Sequence, residues 1–220
     1  MKKIFITGCA KSGTTLLKDL FRSFDSTWVI EDEITVNSFC KLKQSNVGEF
    51  DFVVGKRSWD TIYSCGRLRD TDIQSQYYQL EQSEIIVINV IRDGRNVVKS
   101  LLKDWGWYNP FEWMECIRQS KEHNGIINLT VRYEDLLTIP DQIQNEIIVL
   151  TGMDANYSFS DYPNFIDTTE QREKNYTFRP LDASKVNADF LTYLRSPNDI
   201  EHFNKQLRDL GYNVWNSSGN

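Results

Sequence analysis

The run Lys2-Lys3-Ile4-Phe5-Ile6-Thr7, Gly8-Cys9-Ala10-Lys11-Ser12-Gly13-Thr14-Thr15, Leu16-Leu17-Lys18-Asp19-Leu20-Phe21 limits the possible folds more than any other stretch. A short apolar strand enters a loop bounded by two glycines, and an amphipathic helix follows at once. That order makes an anion cradle, because loop N–H groups and the positive end of the helix converge on one point. The glycines allow the tight path and the close backbone approach. The common nucleotide loop reads G-x-x-x-x-G-K-[ST], with its lysine on the outer phosphates and its hydroxyl on Mg²⁺. Here Thr14 fills the lysine slot and the lysine stands three residues earlier, at Lys11. With hydroxyls at Ser12, Thr14 and Thr15, this loop suits one terminal phosphate bearing a transferable group, without an obligatory metal.

Two further motifs follow in order. Glu84 to Ile91 is a β-branched run, the pattern of a strand buried on both faces. It ends at Arg92-Asp93-Gly94-Arg95-Asn96, and Val97 to Leu102 continues as a helix carrying Ser100. An arginine at a strand end and a serine on the next helix can meet at one anion, the first as a planar fork of donors. The plainer reading is a surface turn at Arg92–Asp93 with a helix cap at Asn96. Ile127 to Val131 reads as another buried strand, followed by Arg132-Tyr133-Glu134-Asp135-Leu136 and an Ile/Leu-periodic helix from Asp141 to Thr151.

Lys11-Ser12-Gly13-Thr14-Thr15-Leu16 resembles the loop with which sulfotransferases grip the 5′-phosphosulfate of 3′-phosphoadenylyl sulfate (PAPS). Arg92 and Ser100 fall on that family's R-x-x-R-x-x-x-x-S pattern for the cofactor's 3′-phosphate, with Gly94 where a proline is common. Arg132 to Leu136 is similar to a run typical of the same family, where it is mostly structural. The resemblance covers most of the chain and fades after about Gly152. It implies a PAPS-dependent sulfotransferase that releases adenosine 3′,5′-bisphosphate (PAP), uses no metal, and binds its cofactor through Ala10, Lys11, Ser12, Gly13, Thr14, Thr15, Arg92 and Ser100. Lys185 would add to this set from the position of a basic stretch that closes over the 3′-phosphate. Lys11 would neutralise the leaving group, and Lys56 matches a lysine often found after strand three. Glu31 or Glu33, after strand two, stands where several members place a catalytic glutamate. Asp60 is in reserve. The histidine base of cytosolic members would fall near Ser58, and no histidine is there.

The whole chain fits one domain, residues 1–220. Its 40% hydrophobic and 25% charged residues are ordinary for a globular protein. A net charge of −6 argues against a broad nucleic-acid surface, so the positive site must be local. The four cysteines, Cys9, Cys40, Cys65 and Cys116, form no C-x-x-C pair, which points to free thiols rather than zinc. The chain begins directly with strand one and carries no apolar run of membrane length, so a cytoplasmic protein without membrane contact is expected.

Strands alternating with helices predict an α/β fold of three layers. A central parallel sheet carries helices on both faces, like that of phosphate-loop nucleotide kinases. The strands are expected over Lys3–Thr7, Thr27–Ile30, Phe50–Val54, Glu84–Ile91 and Ile127–Val131, with their C-terminal ends lining one site. Trp105, Trp107, Tyr108, Phe111 and Trp113 either wall an acceptor pocket or pack a helix, and residues 169–179 read as a polar lid. A small-molecule or carbohydrate acceptor is expected. The alternatives are a phosphate-loop kinase using ATP and Mg²⁺, or a nucleotide-binding module without transferase activity.

Overall fold

The computed structural model describes residues 1–59, 73–105, 110–164, 194 and 196–214. Strands β1 (Lys2–Cys9), β2 (Thr27–Val29), β3 (Phe52–Trp59), β4 (Ile85–Ile91) and β5 (Leu129–Arg132) form one parallel sheet in the order β2-β3-β1-β4-β5. The chain leaves β1 toward one side of the sheet and returns to its other side at β4. An open α/β sheet binds ligands at such a switch point, beyond the carboxyl ends of the strands. Here those ends are Cys9 and Ile91.

The sheet is covered on both faces, and this explains why its central strands read as unbroken apolar runs. Odd and even residues of one strand enter different cores. On one face Ile4, Ile6, Val54, Ile88, Val90 and Val131 meet Leu16, Leu17 and Leu20 of α1 (Thr14–Leu20). Leu136 of α7 (Tyr133–Thr138) and Ile143 and Ile147 of α8 (Pro140–Thr151) complete that core. On the other face Phe5, Val53, Val87 and Ile91 pack beneath α2 (Val36–Cys40), α4 (Ile73–Glu81) and α5 (Gly94–Trp105), with α3 (Gln44–Val47) alongside. The same core takes in Trp113 of α6 (Pro110–Glu122) and Phe203 of α9 (Pro197–Asp209), whose rings lie 5.0 Å apart. The three-layer architecture is the one expected.

The strand limits differ in one place that matters for chemistry. Strand one is expected over Lys3–Thr7 and strand three over Phe50–Val54, with Lys56 after its end. The two instead pair from Lys2↔Phe52 through Cys9↔Trp59. Lys56 is therefore inside β3, not at its end, and Ser58 lies two residues further along the same face. Pairing with β1 along its whole length holds Lys56, Arg57 and Ser58 in a strand that their own propensity would not extend, although β2 pairs only as far as Val54. The helix that follows the loop runs over Thr14–Leu20 and tightens into a 3₁₀ turn at Phe21–Ser23. Among the described residues, no helix is long and apolar enough to cross a membrane.

Candidate active site

The loop from Cys9 to Gly13 turns over the end of β1. The Ser12 amide donates to the Cys9 carbonyl at 3.1 Å. Lys11 takes a left-handed backbone conformation, φ 62°, uncommon for a residue with a side chain. Gly13 caps α1 at φ 102°, and no side chain caps that helix. A Cβ on Gly13 would stand 2.3 Å from the Tyr133 ring, so only glycine fits there. The glycine expected from the loop pattern is thus required twice, by its dihedral angle and by the ring against it.

Arg92, at the end of β4, reaches back to this loop. Its Nη1 donates to the Lys11 carbonyl at 2.7 Å, and its guanidinium stacks on Tyr133 at 4.2 Å from the ring centre. Tyr133 is therefore a half-buried wedge between Gly13 and Arg92. Burial works to lower the Arg92 pKa, and the neighbouring Tyr133, Glu134 and Asp93 oppose it; the guanidinium stays charged. Two donors in this region are buried and unanswered among the described residues. They are the Arg92 Nε–H and the hydroxyl of Ser12, a residue that is 1% exposed. Buried donors without acceptors are costly and rare, so each is a candidate to hold an anionic group.

The Arg92 turn is not the surface turn of the plainer reading. Asp93 and Arg95 are buried and joined as an ion pair, with Asp93 Oδ1 also accepting the Arg95 amide at 2.9 Å. The helix starts at Gly94, so Asp93 rather than Asn96 caps it. Trp113 is fully buried, donates through Nε1 to the Arg92 carbonyl at 3.2 Å, and leaves no room on Gly94, where a Cβ would meet its ring at 2.6 Å. This explains the departure from proline at that position. Gly94→Ala should destabilise the protein by about 1–3 kcal/mol, the usual cost of overpacking. Urea denaturation checks this, and an unchanged midpoint would contradict the packing described. Ser100 lies half-buried on α5, six residues into the helix.

A second cluster adjoins the loop. Glu33, its side chain 39% exposed, accepts from Lys56 Nζ at 2.8 Å, from the Ser58 amide at 3.3 Å and from the Ser58 hydroxyl at 3.1 Å. Ser58 Oγ is in turn 3.2 Å from Thr14 Oγ1 at the start of α1. One chain of polar contacts thus runs from the start of α1 to an accessible carboxylate. Burial works to raise the Glu33 pKa, but the hydrogen bond and charge of Lys56, with both Ser58 donors, outweigh it and hold the carboxyl below the usual range. Lys56 is buried and paired, unlike a solvated strand-end lysine.

Glu31 is placed differently. Its carboxylate pairs with Arg22 at 2.6 Å on the surface, and its carbonyl accepts from the buried Lys18 at 2.6 Å. These contacts fasten the segment after β2 to α1 and so help fix Glu33. His123, just past the end of α6, stacks on Tyr77 with ring centres 4.5 Å apart. Phe111 is 40% exposed, whereas Trp113 is core. Lys185, Asp60, Trp107, Tyr108 and residues 169–179 lie outside the described residues. The contacts of Ser58 and Tyr133 were not foreseen. The i, i+2 spacing of Lys56 and Ser58 would have paired them on one face, had the strand been read past Gly55.

No protein-family model matches the chain, and no curated protein sequence matches it. Solved structures do match. The sulfotransferase domain from the Synechococcus PCC 7002 olefin synthase is 15% identical with a TM-score of 0.65, over 98% of this chain and 96% of that one. The sulfotransferase domain from the curacin biosynthetic pathway is 13% identical with a TM-score of 0.62, over 97% and 99%. Mouse sulfotransferase SULT7A1, solved in complex with PAP, is 14% identical with a TM-score of 0.55, over 99% and 86%. The fold of this chain is the sulfotransferase fold.

Proposed function

We propose that the chain moves a sulfuryl group from PAPS to a hydroxyl or amine of a small-molecule or carbohydrate acceptor, with PAP as the other product. The observation that carries this reading is the meeting of two sets of groups at one loop and the helix that follows it. The Lys11 loop is tied to Arg92, and the Glu33–Lys56–Ser58 cluster touches the loop through Thr14. The unanswered Ser12 and Arg92 donors fit an anionic nucleotide, and the mouse neighbour's complex with PAP supports the choice of nucleotide.

PAPS supplies the activated sulfuryl group. Loop amides and the Ser12, Thr14 and Thr15 hydroxyls hold the 5′-phosphate, while Arg92 and Ser100 address the 3′-phosphate. Lys11 neutralises the charge that grows on the phosphate oxygen as its bond to sulfur breaks. Lys56 holds the sulfuryl oxygens. Glu33 accepts the acceptor's proton as the new oxygen–sulfur or nitrogen–sulfur bond forms. Of the two glutamates, Glu31 is held by Arg22 at the surface, whereas Glu33 is linked through Ser58 to Thr14, which favours Glu33 over Glu31 as the base. Positioning and charge stabilisation dominate such in-line transfers.

Calorimetric titrations with PAP, AMP and ATP, each with and without Mg²⁺, test the reading. PAP should bind at least about tenfold more tightly than AMP, the worth of one charge-assisted contact, and EDTA should not weaken it. Equal affinities for PAP and AMP would sink the assignment. Tight binding of ATP only with Mg²⁺ would favour a kinase.

A further inference from the structure

We propose that Tyr212, beyond the last helix, is a positioning residue that keeps a carboxylate off Arg92, so that the guanidinium remains available to the 3′-phosphate of the nucleotide. This rests on the reading of Arg92 given above. Arg92 has two carboxylates for neighbours, Asp93 and Glu134. Among the described residues neither forms an ion pair with it, because each is held by other donors. Asp93 is bound by the Arg95 guanidinium and the Arg95 amide. Glu134 Oε1 accepts from the Asp93 amide at 3.2 Å, and Glu134 Oε2 accepts from the Tyr212 hydroxyl at 2.8 Å.

Tyr212 is itself tightly placed. Its amide donates to the Leu207 carbonyl at 2.9 Å. Its ring lies 4.4 Å from the Arg132 guanidinium, which also donates to the Leu210 carbonyl at 3.2 Å. The end of α9 is thereby fixed to the end of β5, and the Tyr212 hydroxyl is held at the carboxylate. Without that hydroxyl, Glu134 Oε2 loses a neutral donor beside an unpaired guanidinium. A carboxylate in that position turns to the stronger charge-assisted partner. Glu134 would then compete with the 3′-phosphate for Arg92 and carry the Asp93 amide with it. Arg92 meets the loop through its bond to the Lys11 carbonyl, which Tyr212→Phe leaves in place, so the effect should be confined to nucleotides with a 3′-phosphate.

The experiment measures PAP and AMP affinities by calorimetry for the wild type, Tyr212→Phe, Glu134→Gln, the double variant and Arg92→Ala. Tyr212→Phe should weaken PAP about tenfold, in line with the loss of a charge-assisted contact, and leave AMP unchanged. Adding Glu134→Gln should restore PAP binding, because an amide does not compete for the guanidinium. Arg92→Ala should remove the preference for PAP altogether. If Arg92→Ala leaves the preference intact, the cofactor reading fails. If Arg92→Ala removes it but Tyr212→Phe does not, the role of Tyr212 is overturned. A Tyr212→Phe defect that Glu134→Gln fails to rescue is equally fatal, since general loosening of the C-terminal segment would not depend on the charge at residue 134.

Discussion

Lys11→Ala should lower the single-turnover rate of transfer by ~10²-fold or more while weakening PAP much less. The argument is one of timing. Charge builds on the leaving phosphate only as the bond to sulfur breaks, so a cation aimed at that oxygen is worth most in the transition state. Loss of one oriented donor of this kind typically costs about 10²–10³ in rate. On the proposed reading PAP would keep its other contacts, the loop amides and the hydroxyls of Thr14 and Thr15, and would keep Arg92. The Lys11 backbone adds a complication, because its carbonyl binds Arg92 from a left-handed conformation. Lys11→Arg is the control, since it retains a side-chain charge and a similar backbone penalty. Rapid-quench rates from PAPS and PAP titrations, taken on both variants, make the comparison. If Lys11→Ala loses affinity and rate in equal measure, its charge serves binding rather than the transition state.

How far the sequence could carry this picture depends on the range of the interaction concerned. The loop was legible because its geometry is set locally: glycines at 8 and 13, a strand before and a helix after. The two central strands were legible because a sheet buried on both faces leaves no polar alternation. What failed was the reach of β3. Lys56, Arg57 and Ser58 are polar, and nothing nearby in sequence says that they pair with Ile6, Thr7 and Gly8. That pairing puts Lys56 and Ser58 on one face and brings Glu33, 23 residues from Lys56, into contact with both. The choice between Glu31 and Glu33 is of the same kind. Both lie in one acidic run, and only the fold gives one to Arg22 and the other to Lys56. Tyr133 shows the limit from the other direction. Its motif was visible, but its place between Gly13 and Arg92 depends on β5 lying beside β4.

Glu33→Gln should abolish most of the transfer, a loss of about 10²–10⁴-fold for a group that takes the acceptor's proton, while leaving PAP affinity unchanged. The pH dependence gives a sharper test. Burial alone would raise the Glu33 pKa, yet Lys56 and Ser58 hold it below the ordinary glutamate value. The linkage has a definite sign. A depressed folded-state pKa stabilises the protein fully above the unfolded value, and that contribution is lost as pH falls through the folded one. Activity that needs the carboxylate should show its acid limb in that same low range. Lys56→Met removes the hydrogen bond and the charge, leaving burial to act against Ser58 alone. The acid limb of kcat/KM should then move to higher pH, by about 1–3 units if Lys56 acts as a close opposite charge usually does. Lys56→Met should also slow transfer through its loss from the sulfuryl oxygens. The position of the limb, unlike the height of the profile, reports only the titrating group, so the two effects separate in one set of pH–rate curves. An acid limb that stays in place would mean that the base is not the carboxylate beside Lys56. A full rate in Glu33→Gln would remove Glu33 from the chemistry whatever the limb does.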